Sequence, residues 1–346
     1  MNQKRITALT AISVAVALAL TACGGGGGGS GGSGSNNSAS NSGNGNSAGG
    51  TTTSPTVTGT VTTPQFAANS AQMAAFTLLN QYRQQCGFPV LQENTVLDAA
   101  AQNHSKYMGL NNAFTDAEVS TNAGYSGSSY TDRAVYAGFP QGVSVGGASG
   151  GGNAVFPQDF SASVAGQQFV YGLVGGVYHS VIANFPANIA GLGEYETQAT
   201  VGSYTYTDTF ESLSITSTQA QTLSNAPLTF PCQGVTGVPY KEVAESPTPP
   251  NVSASGSGTP VVVIGNSTDS VFLQSATMTD TSGNVITLQL LNSTNDPNKL
   301  ISASEAVAYP TSPLLPNVTY TVSITGIVNG AAFSRNFTFT TGNVTG

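Results

Sequence analysis

The sequence predicts an α+β domain, arranged in layers, followed by a small all-β sandwich. Three observations predict it. Residues 70–108 carry apolar side chains at helical spacing, residues 189–213 read as two strands, and residues 260–341 hold only short strand-like runs divided by turn signals.

The N-terminus comes first in chain order. Lys4 and Arg5 precede an apolar run over residues 6–20, the charged and apolar regions of a signal peptide, too short and too soon followed by glycine to span a bilayer. The run ends Leu20-Thr21-Ala22-Cys23, which resembles the lipobox of bacterial lipoproteins, cut before the Cys and acylated on it. The competing reading is an ordinary signal peptide with an incidental cysteine. On the lipobox reading residues 1–22 are leader, Cys23 is the lipid attachment site (palmitate or a similar chain), and the membrane is a partner through that lipid. Residues 23–65, first Gly/Ser/Asn-rich and then Thr-rich with Pro55 and Pro64, cannot build a core and act as a flexible tether. Gly24 replaces the Asp that often follows the Cys in lipoproteins kept in the inner membrane, so the expected location is the envelope at the outer membrane.

Composition excludes several partners. The chain has 16 acidic and 8 basic residues, and removal of the leader takes away Lys4 and Arg5. So acidic a chain is poorly suited to nucleic acid. Once Cys23 is committed to lipid, Cys86 and Cys232 remain as an even pair in an oxidising compartment, read as a disulfide, with two buried thiols as the alternative.

Met73, Phe76, Leu79 and Tyr82 form the stripe of a first helix, with Asn69 and Ser70 as caps. A second helix beginning near Asn94 or Thr95 puts Leu97, Ala100, Ala101, His104, Tyr107 and Met108 on one face. An apolar stretch from Phe169 to His179 suggests a third, weakened by Gly172, Gly175 and Gly176. Residues 189–195 and 203–213 read as strands, the latter alternating Tyr204 and Tyr206 with Thr205 and Thr207. Residues 66–232 make the first domain, residues 233–259 (Pro-, Ser- and Gly-rich) a second linker, and residues 260–346 the sandwich. Its strands are expected over 260–265, 271–279, 285–291, 319–327 and 333–341, with turns at Ser282-Gly283-Asn284 and Asn329-Gly330. The run from Leu315 to Val322 with the closing Phe337-Thr338-Phe339-Thr340-Thr341 resembles bacterial Ig-like or fibronectin-type-III-like modules.

Leu79-Asn80-Gln81-Tyr82-Arg83, Gly87, Leu91 and the run from Leu97 to Met108 resemble the start of a CAP domain. This is the superfamily of cysteine-rich secretory proteins, venom antigens, plant pathogenesis-related proteins and bacterial SCP-like proteins. Tyr125, Gly127, Arg133, Ala137-Gly138-Phe139, Tyr178-His179-Ser180 and Gly191-Leu192-Gly193 continue the similarity in family order. The resemblance implies a three-layer α-β-α sandwich with a groove. In many members the groove holds two His and two Glu, sometimes with a divalent metal. Carried over, only His179 matches, as the second histidine. The first falls on Thr115 and Asp116, and no acid stands at Val143 to Gly147 or at Phe169 to Val177, where the glutamates belong. No metal or other cofactor is therefore expected.

His179 and Asp116 are the candidate groove residues, with Glu118 as a further carboxylate; the plainer reading makes both acids solvated loop residues. His104 reads as a buried, hydrogen-bonded core residue. Gly147-Ala148-Ser149-Gly150-Gly151 fits the nucleophile-elbow pattern but lacks a flanking strand and helix, and residues 142–152 read as a flexible piece of groove wall. No catalytic residue is assigned. Three function classes follow: a non-catalytic extracellular binding module for a lipid, sterol-like molecule or peptide of the cell envelope; an envelope hydrolase using His179; or a structural or adhesive display protein.

Overall fold

Ser70 and Asn94 start the two longest helices of the first domain in the same way. Each side chain accepts a backbone N–H that the first turn leaves unpaired: Ser70 from Met73, and Asn94 from Val96 and Leu97, all at 3.1 Å. The computed structural model describes residues 20–23, 56–151, 156–201 and 203–346. The expected leader up to residue 19, and the tether over residues 24–55, lie outside the described residues. Leu20–Cys23 forms the first strand, β1.

The expected helices are α1 (Ala71–Gln85) and α2 (Thr95–Asn111), separated by β2 (Gln92–Glu93). A short α3 (Tyr130–Tyr136) follows, opened by a reciprocal Ser129–Asp132 capping box. The Gly-rich stretch expected to be flexible instead gives strand β3 (Gly146–Gly150). Its glycines serve close approach: a Cβ on Gly147 would strike the Leu213 carbonyl and the Tyr130 ring. Ser149 sits inside this strand rather than at a strand-to-helix turn, so the elbow geometry is absent.

The predicted third helix is two, α4 (Ala162–Gly175) and α5 (Val177–Asn184), divided at Gly176, whose backbone is extended. Strands β4 (Ile189–Val201) and β5 (Tyr204–Thr216) form a long antiparallel pair. Helix α2 lies against β4 so closely that a Cβ on Gly191 or Gly193 would meet the α2 backbone. Its Asp98 and Gln102 bond the backbone of Leu192 and Glu194. Helices α1, α4 and α5 cover the opposite face, through Phe76, Leu79, Leu173 and Val181 packed with Leu192 and Leu213. The domain is an α-β-α sandwich.

Arg83 joins its layers. It is fully buried, and its guanidinium donates to the carbonyls of Pro89, Ala183, Phe185 and Ala187 at 2.7–3.2 Å. Burial lowers its pKa, and the carbonyls replace water around the charge.

The remainder is all strand: β6 (Leu228–Phe230), β7 (Val235–Val238), β8 (Glu245–Ser246), β9 (Val261–Ile264), β10 (Val271–Asp280), β11 (Val285–Thr287), β12 (Gln289–Asn292), β13 (Glu305–Tyr309), β14 (Thr319–Val328) and β15 (Ala331–Thr341). Two sheets in the order β11-β10-β14-β15-β7 and β12-β13-β9-β6 share one core. Strand β14 shows the expected alternation, with Tyr320, Val322 and Ile324 buried between more exposed Thr321 and Ser323. Asn329 and Gly330 take φ of 52° and 82°, the two-residue turn predicted there. Strand β13 escaped prediction because all five of its residues are buried and no alternation marks it.

Residues 233–259, read from composition as a linker, are structural. Strand β7 extends the five-stranded sheet beside β15, and β8 joins the first domain's sheet, ordered β2-β4-β5-β3-β1-β8. In turn β6, from the end of the expected first domain, edges the sandwich sheet next to β9. Pairings of two to four residues leave no periodic trace in a sequence. Cys86 and Cys232 form a disulfide with Cα atoms 5.4 Å apart.

Candidate functional site

Helix α5 begins without a capping side chain of its own, since Gly176 stands at its N-cap. The cap comes from Glu245 on β8. Its carboxylate accepts the backbone N–H groups of Val177, Tyr178 and His179 at 2.7, 2.7 and 3.0 Å. It also bonds His179 Nδ1 at 2.8 Å. A carboxylate at a helix N-terminus is favoured by both the unpaired donors and the helix dipole. Gly176 makes the approach possible, because a Cβ there would lie 2.7 Å from Glu245 Oε1 and 2.9 Å from His179 Nδ1. His179 is fully buried and Glu245 nearly so. Beside them Glu242 accepts the N–H groups of Val243 and Ala244, both at 2.8 Å.

Asp116 reaches the same buried region from the loop after α2. It accepts from the Tyr130 hydroxyl at 2.5 Å, and that hydroxyl also bonds Ser149 Oγ at 2.6 Å. Burial pushes its pKa up to about 6, opposed by Tyr130 and by the nearby His179. The structure thus brings Asp116 and His179 into one neighbourhood, while the carboxylate on Nδ1 is that of Glu245. A second pair lies further along. His104 Nδ1 is 2.9 Å from Glu118 Oε1 and Nε2 is 2.7 Å from the Thr115 carbonyl. Glu118 also takes the N–H groups of Ser126 and Gly127, and Arg133 stands 4.0 Å away. Burial pushes Glu118 upward, but His104, Ser126 and Arg133 together outweigh it and hold the carboxyl below its ordinary value. Asp116 and Glu118 are therefore buried and bonded, not solvated loop acids. His104 is the core histidine expected of it.

Burial dominates the titration of other carboxyls. It raises Asp98 to about 8, Glu194 and Glu242 to about 7, and Glu211 well above its ordinary value. Glu211 faces Glu194 directly across the β4–β5 ladder, so the two resist joint ionisation. Each of these acids has a folded pKa above its unfolded one. Its contribution is complete below about pH 4 and is lost as pH rises through the folded value. His104, held below its ordinary pKa by burial, acts in the opposite sense below about pH 6.5. The acids outnumber it. The melting temperature is expected to be higher at pH 5 than at pH 8, by on the order of 5 °C, with Glu211→Gln flattening the profile. Thermal unfolding followed by circular dichroism across that range is the check.

Among the described residues no group of three or more His, Cys, Asp or Glu is arranged to hold a metal ion. Among the described residues two depressions lie elsewhere, one of about 560 Å³ beside the disulfide and Arg335, the other of about 240 Å³ between α1 and α4. The sequence marks His179, Asp116 and Glu118 as candidates but does not mark Glu245. Its only signal was an acid beside a Pro-rich run, the usual mark of a linker.

A three-layer α-β-α sandwich with two buried histidine–carboxylate pairs is the class that fold and site define. Within it, residues 76–184 match the family model of CAP, the cysteine-rich secretory protein family, so the stretch running from α1 through α5 is a CAP domain. Among solved structures, an extracellular protein containing an SCP domain from Bacillus anthracis str. Ames is similar at 20% identity and a TM-score of 0.27. That similarity covers 40% of this chain and 39% of the other, less than half of either. Comparison with curated proteins gives no match.

Proposed function

We propose that the chain is a bacterial envelope lipoprotein, acylated at Cys23, whose CAP domain is a non-catalytic extracellular binding module backed by an Ig-like sandwich. The observation that carries the second part is the state of His179. The one side chain matching a family histidine is enclosed, and its Nδ1 and backbone N–H both hold Glu245. A ring fixed in this way ties β8 to α5, which is a structural task. The extracellular setting is supported by the disulfide, by the CAP match and by the signal-like leader. The outer-membrane placement rests on Gly24.

Two measurements test it. Cells expressing the chain and fed a labelled fatty acid should label it, and Cys23→Ser should abolish the label and release the protein from the membrane fraction. The purified chain should show no ester, peptide or glycan hydrolysis that His179→Asn removes; such a His179-dependent turnover would overturn the non-catalytic reading. Asn retains a side-chain donor for Glu245, so loss of folding is kept apart from loss of chemistry.

A further inference from the structure

Helix α2 runs along β4 but stops short of its end. A Cβ on Gly109, two residues before the last helical position, would strike the Tyr195 and Phe210 rings. The β4–β5 hairpin therefore projects past the helix, with residues 197–201 on one strand paired to residues 204–208 on the other. Tyr204, Tyr206 and Asp208 share a face with Phe210, because alternate residues of a strand point the same way. At Phe210 that face is covered by Tyr107 and Met108 of α2. Over the two tyrosines lies Phe156, its ring centroid 5.1 Å from that of Tyr206 and 5.8 Å from that of Tyr204. Pro157 opens a short 3-10 turn (Pro157–Asp159) that packs on β5, and it holds Phe156 extended before it, at φ −57° and ψ 140°.

These rings are not core. Tyr204 is 56% exposed and Phe156 38%, against 1% for Phe210. Phe156 lies nearly flat on Tyr206, at 27°, and meets Tyr204 at 66°, so two ring planes form a corner at the surface. We infer that this corner binds the quaternary ammonium group of a small solute such as choline. The inference gives the proposed binding module a site and a ligand class; it rests on that reading and uses neither Cys23 nor His179.

The face of an aromatic ring is electron-rich and attracts a cation within about 6 Å of its centroid, and two rings at an angle supply two such faces. Charge selects the same ligand. Residues 189–216 contain Glu194, Glu196, Asp208 and Glu211 and no Lys, Arg or His. Asp208 follows Tyr206 on the tyrosine face, and Glu196 is exposed on the strand beside it. Such a field draws cations and repels anions. A phospholipid surface would bring its phosphates against these acids, and a neutral sugar would gain nothing from them. A soluble ammonium compound uses both the rings and the charge.

Saturation-transfer NMR on the purified chain tests this. Choline should bind with a Kd on the order of millimolar, about tenfold tighter than its uncharged isostere 3,3-dimethylbutan-1-ol. Phe156→Leu and Tyr204→Leu should each weaken choline about threefold, and the double variant about tenfold, while Tyr204→Phe, which keeps the ring, should bind as the parent does. Both side chains are exposed, so unchanged thermal melting of the leucine variants separates binding from folding. Equal affinity for the uncharged isostere would overturn the proposal, as would choline binding that the leucine variants leave intact. Transfer to N-acetylglucosamine oligomers, or sedimentation with phosphatidylglycerol vesicles, that depends on Tyr204 while choline fails would give the surface to a glycan or a bilayer and also overturn it. Failure of choline with another ligand held elsewhere removes this site alone, whereas His179-dependent hydrolysis removes the non-catalytic reading alone.

Discussion

Glu245→Ala is expected to lower the unfolding free energy by about 4 kcal/mol, measured by urea denaturation at neutral pH. The loss is large because one carboxylate serves three N–H groups and an imidazole at once. Alanine leaves all of these donors in a region that water does not reach, since Val177, Tyr178 and His179 are each almost fully buried. Charge-assisted bonds of this kind contribute about 1.5–3 kcal/mol apiece before non-additivity is considered. Glu245→Gln is the informative companion. It keeps the shape and one acceptor oxygen but loses the charge that the helix dipole favours, so about half the loss should return.

The damage should also travel. Tyr178, which follows the first capped residue of α5, donates its hydroxyl to Asp296 of the sandwich at 2.8 Å and accepts from Asn298 at the same distance. Helix α5 further packs against β9 and β13. A loosened N-terminus of α5 therefore loosens the junction between the CAP domain and the sandwich. Exchange measured on Glu245→Ala should rise in α5 and at Asp296 to Ile301, while β14 and β15 stay protected. Equal loosening throughout would show that Glu245 acts on global stability alone.

How far the sequence reached depends on the range of each signal. Local signals were readable. Ser70 and Asn94 mark their helices because a cap acts within three residues, and Asn329-Gly330 marks its turn because φ above zero is a local demand. The alternation of β14 follows from one buried face. Where burial is two-sided, as in β13, or where pairing is only two residues long, as in β8, periodicity carries nothing. The candidate site suffered from the same limit. His179 was identified by motif, but its partner lies 66 positions away on a segment whose prolines spoke for a linker. The glutamate expected just before His179 in sequence is absent, and a carboxylate arrives there through space instead. Glycine was likewise misread in β3, where it signals crowding against Leu213 and Tyr130 and not freedom.

Replacing Cys86 and Cys232 together by alanine is expected to lower stability by about 5 kcal/mol, the chain-entropy value for so long a loop. The bridge spans 146 positions, and the closed segment contains helices α2 to α5, with α1 ending just before Cys86. The folded state has other means of holding these ends together. Tyr82, one turn before Cys86, packs edge-on to Phe230 at 5.5 Å, and Phe230 pairs with Val262 in the sandwich sheet. The native contacts therefore survive the substitution, and the effect falls on the unfolded chain, which expands once the loop is open. A purely native-state role predicts an unchanged denaturant dependence. Relief of a cross-link predicts a steeper one, because the released chain exposes more surface. The m-value of the double variant should accordingly rise above that of the parent while its near-ultraviolet circular dichroism stays the same. Reduction of the parent by dithiothreitol should give the same midpoint, and a reduced parent as stable as the oxidised one would exclude the entropic account.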